Sequence, residues 1–358
     1  MRDFLKQVQA ALWNGPMPET VDEETLRLHM RQGTATLVFP LLPMTPMMKM
    51  VCVQTMQEQV KVRYVLERAW QALEQAGIKA VLMKGVGLAM YWPEPSRRPW
   101  GDIDLYVGPE QYHPACAVMR AAFPDALKFD EELDHYKHYN LIADGVSIEV
   151  HRVSVSMTHP SDVRRYAKME KTGMDSARFQ EIRLQDETMQ VRIFEPTFNA
   201  LMVMLHAWEH FMTQGANLRQ ICDLALLLKH TKNEIDAPRL KRWLKALRAL
   251  DVWQLYMGIL VHGLRMKADE VLFYDERVAP RAQKMLEALL SNRSAQERPQ
   301  EKKPVPGNRF VRKWHTMQER LRQTEQIAPF SPQYARHQKM AVLLSGMRRV
   351  FAPDRRWE

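Results

Sequence analysis

Two carboxylates one residue apart, Asp102 and Asp104 in the segment GDIDLYV, are the side chains best suited to chemistry in this sequence. In an extended strand, residues i and i+2 share a face, so both carboxylates point one way while Ile103 and Leu105 point the other. Paired carboxylates repel unless a cation lies between them. Hard oxygen donors suit Mg²⁺ (or Mn²⁺), which takes its remaining ligands from water and substrate phosphates. Glu149, in SIEVHR, would bring a third carboxylate to the same side from a later strand. His151 shares the strand face of Glu149, where it can assist proton transfer or hydrogen-bond a metal-binding carboxylate.

An Asp-x-Asp alone most often decorates a solvated strand edge, but its upstream neighbours change the weighting. Lys84-Gly85 follows the apolar run IKAVLM and precedes a short helical stretch, Val86 to Trp92. A glycine at a strand-to-helix turn lets a phosphate approach the backbone, and free N–H groups at a helix start attract anions. Lys84 adds a point charge. Arg97 and Arg98, in the loop before Asp102, carry planar forks that match phosphate oxygens. Singly, each is explained by a surface lysine or a solvated loop; together they form a phosphate-type turn, a basic loop and metal-type carboxylates within 21 residues.

The elements that must position these groups follow from periodicity. Residues 2–14 and 21–32 read as short helices, the second entered through Asp22. Helical spacing runs from about Thr45 to Gln75 and stops at Gly77. Ile78–Met83 and Asp102–Val107 read as strands, and Pro109–Phe123 as a helix. His135–Ala143 and Val146–Val153 read as a hairpin turned by Asp144-Gly145, with a second hairpin near Glu181–Ile193. Helices are predicted over 197–213, 217–230, 237–247, 252–264 and 280–290. The polar, proline-rich segment 291–308 reads as a linker before a basic, helical end with an amphipathic stretch around Gln338–Phe351. The reading is therefore α+β: a small mixed-sheet core flanked by N-terminal and C-terminal helical lobes, mostly helical overall. Its divisions are 1–76 (helical), 77–195 (α+β core), 196–290 (helical lobe) and 291–358 (basic linker and tail).

Composition narrows the function classes. Of 358 residues, 46% are hydrophobic and 26% charged, an ordinary globular balance, and the 24 methionines against 14 glycines favour helix. No apolar run reaches the roughly 18 residues that would span a bilayer. The first segment, MRDFLKQVQAALWNG, lacks the apolar centre of a signal peptide. Three scattered cysteines argue against a disulfide framework and for a reducing cytoplasm. The net charge of +9 lies entirely in Ser291–Glu358, where 15 Lys or Arg meet 6 Asp or Glu. Such an end attracts polyanions, whether RNA, an anionic membrane surface or an acidic partner, although a solvated helical extension explains it equally well.

The segment MKGVGLAMYWPEPSRRPWGDIDLYV resembles the nucleotidyltransferases of the DNA polymerase beta-like superfamily. It is most similar to the bacterial branch labelled uncharacterised nucleotidyltransferase, whose pattern runs Lys-Gly, Arg, then Gly-Asp-Ile-Asp-Leu. SIEVHR is similar to that branch's later Glu-x-His strand, and LHAWEHF with NLRQICDLALLL to its helical His and Arg/Asp signatures. The likeness covers roughly residues 60–230; Lys84-Gly85 stands where many superfamily members have Gly-Ser. It implies transfer of a nucleoside monophosphate from an NTP to a hydroxyl acceptor with release of pyrophosphate. Asp102 and Asp104 would hold two Mg²⁺ ions, and Glu149 would complete the metal site or activate the acceptor hydroxyl. Lys84, Gly85, Arg98 and Gly101 would hold the triphosphate, while His206, Arg219 and Asp223 would form a polar network that either orients the nucleotide or acceptor or serves the helical packing alone.

Several features are discounted. His206-Ala-Trp-Glu-His210 spells the inverted zinc-peptidase pattern, but the sequence announces no further ligand. Trp100 and Tyr106 read as packing residues, and the methionine-rich stretch MTPMMKMVCVQTM as helical core or an adaptable contact surface. Two other readings compete: a non-catalytic scaffold binding nucleotide or polyanion, and a membrane-surface protein of envelope polysaccharide assembly docked through the tail.

Overall fold

The computed structural model describes residues 2–129, 133, 135–184, 186–213, 215–291 and 309–351. The N-terminal helices are α1 (Arg2–Trp13), α2 (Glu23–Arg31) and α3 (Ala35–Val38). Asp22 caps α2 as expected, its carboxylate accepting from the Thr25 N–H at 2.8 Å. The long α4 (Pro46–Gln75) starts behind the Thr45 cap, with Pro46 in its first turn. It stops at Ala76 and Gly77, the latter at φ 69°.

The sheet assembles around β1 (Val81–Met83), β2 (Ile103–Tyr106), β3 (Leu127–Lys128), β4 (His138–Ala143) and β5 (Val146–His151), in the order β1-β2-β5-β4-β3. Among the described residues only β2 and β5 run parallel; the other pairs are antiparallel, so the sheet is mixed. The helices α5 (Lys84–Ala89) and α6 (Gly108–Ala122) follow β1 and β2. The chain then forms α7 (Pro160–Asp175) and a separate hairpin of β6 (Arg178–Leu184) and β7 (Glu187–Ile193). The strands predicted over 78–83, 102–107, 135–143 and 146–153 are each shorter, because regular pairing ends where the partner strand ends. Segment 160–175 carries no helical expectation from sequence, yet forms α7, begun by His159 as its cap and Pro160.

Beyond Pro196 lie α8 (Pro196–Thr213), α9 (Leu218–Thr231), α10 (Ala237–Ala246), α11 (Leu250–Gly258) and α12 (Ala279–Ser291). The helix predicted over 252–264 keeps α-helical geometry only to Gly258, then widens into a π turn over Ile259–Gly263. The basic end forms α13 (Arg309–Ile327) and α14 (Pro332–Phe351), while the predicted linker beyond Ser291 lies outside the described residues.

Two apolar clusters organise these elements. One fills the sheet, the second half of α4 and α6, around Leu66, Trp70, Ile103, Leu105, Tyr112 and Ile148. The other joins the N-terminal helices to the helices after Pro196, around Phe4, Leu37, Trp208, Leu224 and Trp253. The Trp13 indole donates to the Leu264 carbonyl at 2.6 Å, and Gln32 Oε1 accepts from the Leu218 N–H at 2.8 Å. Nor does the C-terminal hairpin run free as a solvated extension. Tyr334, Ala335, Ala341 and Val342 are buried, Ser331 donates to Asp251 at 2.6 Å, and His337 meets Asp162 at 2.5 Å. Trp100 and Tyr106 are buried packing residues, as expected. The methionine-rich stretch divides: Met48 is core, while Met44, Met50 and Met56 face outward.

Candidate active site

The carboxylate wall is built by strand register. Asp104 on β2 pairs with Glu149 on β5, and Tyr106 with His151. Because side chains alternate along a strand, Asp104, Glu149 and His151 emerge on one face. Asp102 lies just before β2 and opens on the same cleft. His151 is fully buried behind it, its Nε2 standing 2.9 Å from Asp104 Oδ1 and 3.0 Å from Glu149 Oε2.

Lys84 leaves the end of β1, whose last residue, Met83, pairs with Asp104. Its ammonium lies 2.8 Å from Asp104 Oδ1. The turn that aims it is tight: Lys84 sits at φ 48° and Gly85 at φ 28°, ψ −114°. A Cβ on Gly85 would stand 3.2 Å from the Asp102 carbonyl oxygen, and its φ is one that side chains other than glycine's resist. Glycine is thus required where this turn backs onto the carboxylate loop.

The opposite wall comes from α8 and α9. His206, His210, Arg219 and Asp223 line a cleft of about 250 Å³ together with Lys84, Gly85, Arg98, Gly101, Asp102, Asp104 and Glu149. Arg98 holds Asp223 through both prongs of its fork, Nε to Oδ1 and Nη2 to Oδ2, each 2.8 Å, and the Trp92 indole donates to Oδ1 at 2.8 Å. The pair is buried and ties the loop before β2 to the helical wall. Arg219 donates one N–H to the Pro99 carbonyl at 3.0 Å, while its buried Nε has no partner among the described residues. Arg97 stands apart from the cleft lining; its carbonyl accepts from the Thr36 hydroxyl at 2.6 Å.

Electrostatics divide the carboxylates. Burial opposes ionisation of Asp104, but Lys84 and His151 outweigh it and hold this carboxyl well below the usual range. Burial likewise opposes the charge on Lys84, yet attraction to Asp104 and Glu149 keeps its ammonium above the ordinary value. Asp102 is reached by solvent through the cleft mouth, but the surrounding walls displace much of its water. That desolvation, then repulsion from Asp104 and Glu149, pushes it up to about 6. Across the cleft, burial and then Lys84 hold His210 down to about 4, and burial followed by Arg98 lowers Arg219 to about 10.

The residues suit a divalent cation. Three carboxylates converge, and among the described residues only Asp104 has a lysine at ion-pair distance and the buried Nδ1 of His138 makes no hydrogen bond beside Glu149. The zinc-peptidase spelling does not assemble. Glu209 turns to Lys137 at 3.0 Å, and among the described residues His206 and His210 share no third metal-type ligand.

Sequence reasoning passed over Lys137, His138 and Gln220, which also line the cleft. His138 was legible in the hairpin. Asp144-Gly145, with φ of 52° and 79°, is a two-residue turn pairing Ala143 with Val146, and counting back five places sets His138 against His151.

Among known proteins, a family model described as "Uncharacterised nucleotidyltransferase" matches residues 34–264, well over half of the chain. That span holds every cleft residue named above and ends before the basic C-terminal hairpin. No curated protein and no solved structure gives a significant match.

Proposed function

Because the chain belongs to the uncharacterised nucleotidyltransferase family, we propose that it transfers a nucleoside monophosphate from an NTP to a hydroxyl acceptor. The acceptor hydroxyl loses its proton to a carboxylate of the sheet wall, and its oxygen bonds to the α-phosphorus. The bond from that phosphorus to the leaving oxygen breaks, releasing pyrophosphate. The observation that carries this reading is the cleft's two-sidedness: Asp102, Asp104 and Glu149 converge on one wall, facing the cationic and imidazole side chains of α8 and α9.

Asp102, Asp104 and Glu149 would hold Mg²⁺ or Mn²⁺, which neutralises charge on the transferring phosphate and polarises the reacting oxygens. The chain's own residues bind and orient. The Lys84-Gly85 turn and Gly101 lie against the carboxylates, placing phosphate oxygens near them. Arg98 fixes the loop through Asp223, so the unspent donors of Arg219 take the larger share of anion recognition. His151 orients Asp104 and Glu149. An NTP substrate and three free cysteines fit a cytoplasmic setting.

A second reading, a nucleotide-binding scaffold without catalysis, is favoured by the Lys84–Asp104 ion pair, which already neutralises part of the cation site. One experiment separates the two. The wild type and an Asp102→Asn/Asp104→Asn variant are given each NTP labelled at the α-phosphate, with Mg²⁺ or Mn²⁺ and a cell extract as acceptor source. Metal-dependent label transfer and pyrophosphate release, lost in the variant, support the transferase and identify the acceptor. Nucleotide binding that ignores metal and yields no transfer supports the scaffold. Absence of metal-dependent nucleotide binding in folded protein refutes the transferase reading.

The tail retains a separate expectation. No helix among the described residues is long and apolar enough to cross a membrane. Docking of an anionic surface on the basic hairpin would appear as salt-sensitive liposome binding, lost on removal of residues 309–358.

A further inference from the structure

The donor atoms nearest the carboxylate wall are not all oxygens. His138 on β4 stands opposite His151 on β5, and Glu149 lies two residues before His151 on the same face. The donor atoms of His138, Glu149 and His151 all lie within 4.8 Å of one another. Donors about a common ion at about 2.0–2.2 Å stand at most roughly 4 Å apart, so closure by less than about an ångström brings the three together.

Two details mark these rings as ligands in waiting. His138 Nδ1 is shut off from solvent, makes no hydrogen bond among the described residues and stands 3.7 Å from Glu149 Oε2. A buried ring nitrogen without a partner is costly unless something else satisfies it. His151 Nδ1 lies 3.3 Å from the Val153 carbonyl. A carbonyl oxygen only accepts, so Nδ1 keeps its hydrogen. Nε2 stands 2.9 Å from Asp104 Oδ1 and 3.0 Å from Glu149 Oε2, carboxylates that also only accept, so a cation binds there by displacing the Nε2 proton. The neighbouring cation is already engaged: Lys137 pairs with Glu209.

We propose that His138, Glu149 and His151 form a mixed nitrogen–oxygen site that selects a borderline first-row divalent ion, of the Mn²⁺ class, over Mg²⁺. Mg²⁺ is hard, takes oxygen ligands and gives up its waters reluctantly, whereas imidazole nitrogen suits the borderline metals. The site uses Glu149 of the carboxylate wall, so the inference rests on the transferase reading for its purpose. It adds the identity of the ion and two residues that hold it.

The test is Mn²⁺ binding to the full chain, followed by pulsed electron paramagnetic resonance without nucleotide, in the wild type and His138→Phe, which keeps a ring in place. The expected wild-type spectrum carries nitrogen couplings from two imidazoles, and Mg²⁺ displaces Mn²⁺ only at about 100-fold excess or more. His138→Phe should lose one coupling and at least about 10-fold in Mn²⁺ affinity, with Mg²⁺ binding unchanged. A wild-type spectrum without nitrogen coupling, or displacement by equimolar Mg²⁺, overturns the proposal and needs no variant to fold. Coupling unchanged in folded His138→Phe overturns it as well. The two readings fail separately. Oxygen-only Mn²⁺ with Mg²⁺-supported transfer removes this site and keeps the transferase. Two-imidazole Mn²⁺ without transfer of any NTP keeps the site and removes the transferase.

Discussion

Removing Asp223 should expose how the two halves of the cleft are held together. Its carboxylate accepts three hydrogen bonds, two from the Arg98 fork and one from the Trp92 indole, each 2.8 Å. Arg98 and Asp223 expose only 5% and 4% of their side chains, so solvent cannot compensate a lost partner. Breaking a buried ion pair costs about 3–5 kcal/mol because the remaining charge is stranded. The orphaned indole N–H adds about 1 kcal/mol, so Asp223→Ala should lose about 4–6 kcal/mol. Urea denaturation followed by circular dichroism measures the loss. Arg98→Met/Asp223→Leu, which removes both charges and fills the space, should recover most of it. A loss below about 1 kcal/mol in Asp223→Ala, or a double variant as unstable as the sum of the two single changes, would refute a buried pair of this strength. Because Arg98 lies four residues before Asp102, Asp223→Ala should also weaken Mn²⁺ binding, which a purely local defect would leave unchanged.

Three further outcomes are expected. Arg219→Ala should weaken NTP binding by roughly 10–100-fold in equilibrium titrations, the loss of a charge-assisted hydrogen bond at a desolvated site; unchanged affinity would give phosphate recognition to other residues. His29 is fully buried against Thr34 and Gln7, and burial lowers it from 6.5 to about 3. The unfolded chain therefore binds the extra proton between those values, and stability falls as pH drops below 6.5, by about 2 kcal/mol at pH 5. Denaturation midpoints against pH should show this slope, and His29→Gln should flatten it. Glu170 has the opposite sign: burial raises it from 4.5 to about 7, so its contribution is complete below 4.5 and lost as pH rises through 7. Glu170→Gln, which can still accept from Ser154, should stabilise the protein at pH 8 by about 2–3 kcal/mol; no gain would mean that the carboxylate is ionised without cost.

Much of the fold was legible because its signals are local. Asp22 and Thr45 announce helix starts, Gly77 a helix stop, and Asp144-Gly145 a hairpin, each through a backbone geometry that neighbouring residues dictate. The weak places were ends and irregular turns. Regular strand geometry stops where a partner strand stops, and the π turn after Gly258 forms where that glycine and Gly263 meet Ala282 and Leu286 of α12. Neither partner is written in the segment itself.

The same division runs through the cleft. By itself the sequence determined that Asp102 and Asp104 share a face, that a glycine turn with a lysine precedes them, and that Glu149 and His151 point together, since alternation and turn chemistry are properties of a few adjacent residues. The parallel pairing of β2 with β5, which sets Asp104 beside Glu149, was decided by tertiary structure. So was the choice of partners. Arg98, which the loop offers to phosphate, closes on Asp223 more than a hundred residues away, and Lys84 turns to Asp104. Charges buried without partners are too costly to leave unmatched, so each settles on whichever opposite charge the fold brings within reach. That reach depends on how helices and sheet pack, and no local pattern records it.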